Sequence, residues 1–155
     1  MQPLAGTNTL LLVEDDPLYA EFLLSSIAKT ALPFTLKHVS TLDQALSYVR
    51  GDSPYADRLL HPMPAVVLLD INLGGNSGFP LLRWLQEHGQ LENEKIRVVM
   101  LTASDRAEDI HQGLKFGALS YVLKSPLPDS VINLLARLAS RDTPHTQANM
   151  RPRTP

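Results

Sequence analysis

Thr9-Leu10-Leu11-Leu12-Val13-Glu14-Asp15-Asp16-Pro17 is an apolar run that stops at three carboxylates and a proline. A short run with no polar alternation reads as a strand buried on both faces, the pattern of parallel sheets covered by helices. The carboxylates then stand at the carboxyl end of that strand. Asp16 offers a helix cap ahead of Pro17, which suits the first helical position, and Tyr19, Phe22, Leu23 and Ile27 follow at helical spacing. The spacing predicts a helix over about 17–29.

The same alternation recurs along the chain. A second strand is expected over about 33–39, followed by the caps Ser40 and Thr41 and a helical stripe of Leu42, Ala45, Leu46 and Val49. Residues 51–64 carry Pro54, Pro62 and Pro64 without periodicity. That is longer than the usual ~2–6-residue connection and reads as a surface excursion. Ala65–Leu69 ends at Asp70, the run from Ile96 to Leu101 at Thr102, and Ser120–Leu123 at Lys124. Gly74, Gly75, Asn76, Ser77 and Gly78 form a loop into a helix carrying Leu82 and Leu85, and two more helices are expected over about 106–114 and 129–140. Five alternations of strand and helix predict an α/β fold, a parallel sheet with helices on both faces. Ligands of such sheets bind outside the carboxyl ends of the strands, where the polar residues Glu14, Asp15, Asp70, Thr102 and Lys124 all fall.

Composition excludes several classes of function. The 155 residues are 44% hydrophobic and 19% charged, as in one globular domain. A net charge of −2 supplies no basic field for nucleic acid. The absence of cysteine removes disulfides, thiolate metal sites and thiol catalysis. No apolar stretch approaches the ~20 residues of a membrane span, and the N-terminus lacks a signal-peptide pattern. The expected location is the cytoplasm.

Three carboxylates brought to one rim repel each other and raise one another's pKa unless a cation compensates. With oxygen ligands only, magnesium fits that cluster best. An aspartate at its edge is placed to attack phosphorus, Thr102 to hydrogen-bond one phosphoryl oxygen, and Lys124 to supply charge to another.

These residues resemble the receiver domains of two-component response regulators over about Thr9 to Leu138. Leu11-Leu12-Val13-Glu14-Asp15-Asp16 is similar to the acidic motif after the first strand, and Asp70 with Asn72 and Gly78 to the phosphoacceptor segment. Leu101-Thr102-Ala103 and Tyr121-Val122-Leu123-Lys124 are similar to the later motifs. The resemblance implies a flavodoxin-like doubly wound five-stranded sheet in the order 2-1-3-4-5. It implies Asp70 as phosphoacceptor, with magnesium held directly by Asp15, through water by Glu14, and by the Asn72 main-chain carbonyl. Thr102 and Tyr121 would be a switch pair and Lys124 a phosphate contact. Two positions depart from the family pattern: Gly74 stands where proline is usual, and Ser125 follows Lys124 where proline after a cis bond is usual. Pro54-Tyr55-Ala56-Asp57 in the long connection, with Leu69-Asp70-Ile71-Asn72-Leu73 after it, is similar to the small response regulators that accompany phytochromes.

The expected organisation is an N-terminal extension over 1–8, a receiver domain over 9–140, and a disordered tail over 141–155 without an output domain. The expected function is that of a single-domain response regulator taking a phosphoryl group on Asp70 from a sensor histidine kinase, with a bacteriophytochrome as the candidate, and signalling by protein contact. In the last helix Val131, Leu134 and Leu138 make one stripe and Ile132, Leu135 and Ala139 another. The second is expected to remain an exposed patch, serving a homodimer or the kinase. Two rivals stand beside this reading. One is a receiver-shaped binding module that is never phosphorylated. The other is a phosphatase of the haloacid-dehalogenase type, whose nucleophile lies on the first strand in an Asp-x-Asp pattern that Asp70-Ile71-Asn72 does not follow.

Overall fold

A computed structural model describes residues 8–103 and 106–141. The chain runs β1 (Thr9–Val13), α1 (Pro17–Ala28), β2 (Thr35–Val39), α2 (Leu42–Arg50), β3 (Val66–Asp70), β4 (Asn72–Leu73), β5 (Asn76–Ser77), α3 (Phe79–Glu87), β6 (Arg97–Thr102), α4 (Ala107–Lys115), β7 (Ser120–Leu123) and α5 (Asp129–Arg141). Five strands pair in the order β2-β1-β3-β6-β7, every pairing parallel. With the small β4–β5 hairpin set aside this is the expected 2-1-3-4-5 order.

Period-two alternation divides the core between the two faces of the sheet. Leu11, Val13, Val67, Leu69, Val98 and Met100 join the buried residues of α2 and α3. Leu10, Leu12, Val66, Leu68, Val99, Leu101 and Val122 join those of α1 and α5. Each central strand is therefore apolar on both faces between its ends. On the first face α4 comes close enough to β6 that a Cβ on Gly113 would run into Sδ and Cε of Met100.

Local chemistry sets the ends of the helices. Asp16 accepts from the amides of Leu18 and Tyr19 and so caps α1, with Pro17 in its first turn. Gly51, at φ 78°, supplies the left-handed residue that closes α2. The 51–64 excursion folds back on that helix end. Arg58 Nη1 donates to the carbonyls of Tyr48 (2.8 Å) and His61 (3.1 Å), and Nη2 to that of Val49 (2.9 Å). The hydroxyl of buried Tyr48 donates to the Pro62 carbonyl at 2.9 Å.

The structure corrects two expectations. The glycine-rich loop contains the β4–β5 hairpin, because Gly74 and Gly75 (φ 59° and 91°) turn the chain tightly enough for Asn72 to pair with Ser77. The second stripe of α5 is not an exposed patch: Leu135 is 0% exposed and packs in the core, while Ile132 is partly buried against it. Buried residues of α5 and α1 share one core cluster on the same face of the sheet, and α5 turns more than one stripe into it. Exposed large apolar side chains are found instead on and around β7, at Leu119, Tyr121, Leu123 and Leu127, and elsewhere at Leu18, Leu59, Leu60 and Leu114. The expected extension, apart from Asn8, and the expected tail, apart from Arg141, lie outside the described residues. Among the described residues no helix is long and apolar enough to cross a membrane.

Candidate functional site

Parallel register brings the polar strand ends level with one another. Val13 stands beside Leu69, Asp70 beside Leu101 and Thr102 beside Leu123, so the residues at or just beyond these ends meet on one rim. They line a cleft of about 260 Å³ formed by Glu14, Asp15, Asp16, Asp70, Ile71, Asn72, Thr102, Ala103, Arg106, Asp109 and Lys124.

Asp70 is 3% exposed, and both of its carboxylate oxygens have partners. Oδ1 accepts from the Asn72 amide at 2.9 Å and Oδ2 from Lys124 Nζ at 2.9 Å. Gly78 closes the loop behind it, since a Cβ there would strike the Asp70 main-chain oxygen. Lys124 is carried in from β7 by its amide, which donates to the Thr102 carbonyl at 2.7 Å. Its Nζ also lies 2.7 Å from Glu14 Oε1, close enough for an ion pair but outside hydrogen-bond angle, so Oε1 gains charge without a directional partner.

Glu14 is fully buried. Its Oε2 accepts from the Asp16 amide at 3.1 Å, and its main-chain oxygen accepts from His38 Nε2 at 2.9 Å. Burial pushes the Glu14 carboxyl from 4.5 to about 7, against the pull of Lys124 and the Asp16 amide, and the charge of Asp70 adds to the rise. Burial alone would lower Lys124; its ion pairs with Glu14 and Asp70 outweigh that and leave it raised.

Glu14, Asp15 and Asp70 each place a carboxylate oxygen within 4.8 Å of the other two. Lys124 Nζ reaches Glu14 and Asp70 at 2.7 and 2.9 Å. An all-oxygen donor set of this kind suits a hard divalent cation.

Of the residues singled out from sequence, Glu14, Asp15, Asp70, Asn72, Thr102 and Lys124 are brought together. Tyr121 is not: it is 40% exposed on the outer edge of the sheet. Ser53–Pro54 is the only cis peptide bond among the described residues, so Lys124–Ser125 is trans. Gly74 sits beside the acidic rim, the position of its missing Cβ being 3.6 Å from Asp15 Oδ2. Sequence reasoning missed Arg106 and Asp109, which line the cleft from the start of α4. It also missed the contacts of Tyr19, whose ring centroid is 5.0 Å from Lys124 Nζ. No motif marks Arg106 or Asp109. Tyr19 was visible only as a member of an apolar stripe, although the Asp16 cap three residues earlier could have placed it beside the rim.

A family model described as the response regulator receiver domain matches residues 10–136. The transcriptional regulatory protein GltR of Pseudomonas aeruginosa is 31% identical over 134 residues, covering 86% of this chain and 48% of that protein. The chain spans at most about half the length of the curated relatives it matches. Among solved structures, the bacteriophytochrome response regulator RtBRR is 30% identical with a TM-score of 0.72, over 85% of this chain and 78% of that one. The bacteriophytochrome response regulator AtBRR is 28% identical with a TM-score of 0.70, over 86% and 93%.

Proposed function

The chain belongs to the response regulator receiver domain family, and from that premise we propose that Asp70 accepts a phosphoryl group from a phosphohistidine on a sensor histidine kinase. The reading rests above all on one observation: the buried Asp70 carboxylate opens on the cleft and is oriented from two sides, by the Asn72 amide and by Lys124. A carboxylate oxygen attacks phosphorus, the phosphorus–nitrogen bond to the imidazole breaks, and an acyl phosphate forms on Asp70. Lys124 then carries charge to a phosphoryl oxygen, and Thr102 supplies a hydroxyl to another. Glu14, Asp15, Asp70 and the Asn72 carbonyl would hold magnesium, which supplies positive charge against the phosphoryl oxygens when bound.

The phosphoryl group brings about −1.5 to −2 charges to the rim in place of the single charge of the Asp70 carboxylate. Thr102 is drawn toward it, and Tyr121, now exposed on the β7 edge, turns inward and alters the surface formed by α4, β7 and α5. The protein is an acceptor and a switch rather than a turnover enzyme, and it works in the cytoplasm. The likeness to bacteriophytochrome regulators and the ordered 51–64 excursion support a bacteriophytochrome as the kinase. A homodimer built through the last helix region would use Tyr121, Leu123 and Leu127, the exposed apolar residues there.

Incubation with acetyl phosphate and magnesium should give wild type a phosphate that base or hydroxylamine removes, and Asp70→Asn should gain none. Label persisting in Asp70→Asn would place the acceptor elsewhere, and an unlabelled wild type would leave the receiver-shaped binding module as the better reading.

A further inference from the structure

Lys124 reaches into the cleft as the first residue beyond β7, and the loop that follows it carries no regular structure before α5 begins at Asp129. The ammonium rests between two acidic partners, Glu14 and Asp70, and phosphorylation turns the Asp70 carboxylate into a mixed anhydride, so the amine must shift from a carboxylate oxygen to a phosphoryl oxygen without leaving the cleft. Tyr19 is a further neighbour, and its contact with the amine is not altered by that step. Its ring centroid lies 5.0 Å from Lys124 Nζ, within cation–π range. Tyr19, Phe22, Lys124, Ser125 and Pro126 also line one shared hollow beside the acidic cleft. The ring is itself held: the Tyr19 amide donates to the capping carboxylate of Asp16 at 3.3 Å, and the ring packs against Phe22 at 6.0 Å between centroids.

We propose that Tyr19 is a positioning residue for phosphoryl transfer, its ring face holding the Lys124 ammonium over Asp70 and Glu14. The inference rests on the proposed phosphorylation of Asp70 and adds to it a group on α1 that touches neither phosphate nor metal. A desolvated ammonium gains from an aromatic face enough to change a rate by roughly five- to thirtyfold. An aliphatic side chain fills the space without that attraction.

The test is a double-mutant cycle on the full chain, with rates of phosphorylation by acetyl phosphate in saturating magnesium. Tyr19→Leu should slow the reaction roughly five- to thirtyfold, and Tyr19→Phe should restore it to within about threefold of wild type. In a Lys124→Ala background the same Tyr19→Leu change should alter the residual rate less than about twofold. A Tyr19→Leu effect of equal size with and without Lys124, or a Tyr19→Phe variant as slow as Tyr19→Leu, would overturn the proposal and leave Tyr19 as packing alone. A second readout does not depend on phosphorylation. The ε-methylene protons of Lys124 should show an upfield ring-current shift in wild type and Tyr19→Phe that is absent from Tyr19→Leu. If that shift is present but wild type takes no phosphate, the phosphoacceptor reading fails while the contact stands; if it is absent, the positioning role fails.

Discussion

Asp70 owes its position to a residue with no side chain. The conformation of Gly78, φ −82°, is open to any amino acid. The need for glycine there is one of space: a Cβ would meet the Asp70 carbonyl and lie 3.1 Å from Leu69 Cδ1 and 3.3 Å from Ile71 Cα. Backbone cannot turn aside as a flexible side-chain tip can, so Gly78→Ala should cost about 1–3 kcal/mol as overpacking does. It should slow phosphorylation as well, because the atoms displaced belong to the acceptor's own peptide. Urea unfolding of the variant checks the first part, and a loss below about 0.5 kcal/mol would mean that the strand end gives way freely. At this scale sequence was informative where a polar residue ended an apolar run, as at Asp70, Thr102 and Lys124. Chemistry at strand ends is read along the chain. Arg106 and Tyr19 reach the same rim from helices, by an approach across space that no local spacing encodes.

Among the elements, α5 shows how a sequence pattern misleads. Its two apolar stripes are real, but residues of both turn toward the core cluster that α5 shares with α1 and one face of the sheet. Leu135 became core. Leu135→Ala should therefore cost about 2–5 kcal/mol in an unfolding titration, and Leu123→Ser, at an exposed position, within about 0.5 kcal/mol. The reverse order would mean that the exposed edge, and not α5, carries the packing. The excursion after α2 was legible as irregular but not as ordered, since its order comes from Arg58 and Tyr48 bonding to distant carbonyls. Burial raises the Tyr48 hydroxyl above its ordinary 10.0, with Arg58 opposing the shift. A group raised by folding stabilises fully below its unfolded value and loses that contribution as pH climbs through the folded one. Wild type should thus lose stability above about pH 10 more steeply than Tyr48→Phe. At neutral pH Tyr48→Phe should be weaker by about 1 kcal/mol, having lost its bond to Pro62. Chemical denaturation at pH 7 and pH 10.5 measures both, and parallel losses in the two proteins would remove Tyr48 from the cause.

For the molecule as a whole, the acidic rim ties together segments far apart in the chain. Glu14 and Asp15 follow β1 and Asp70 ends β3, so a cation held by all three joins strands that are neighbours only after folding. The unfolded chain scatters those carboxylates and cannot match that affinity, so any ion that fits must stabilise the native state. At a hundredfold excess over its dissociation constant the gain is about 2.7 kcal/mol. Magnesium should therefore raise the melting temperature by several degrees, with EDTA returning it to the starting value, whereas potassium at matched ionic strength should not reproduce the rise. Relief of carboxylate repulsion by simple screening would respond to both salts alike, which separates the two causes. Asp15→Asn sharpens the comparison. It removes an exposed carboxylate whose loss leaves the core intact, so its melt without metal should match or exceed wild type while its response to magnesium shrinks. A melt indifferent to magnesium in both proteins would mean that the three carboxylates tolerate one another without a divalent ion, with Lys124 and a protonated Glu14 sufficing.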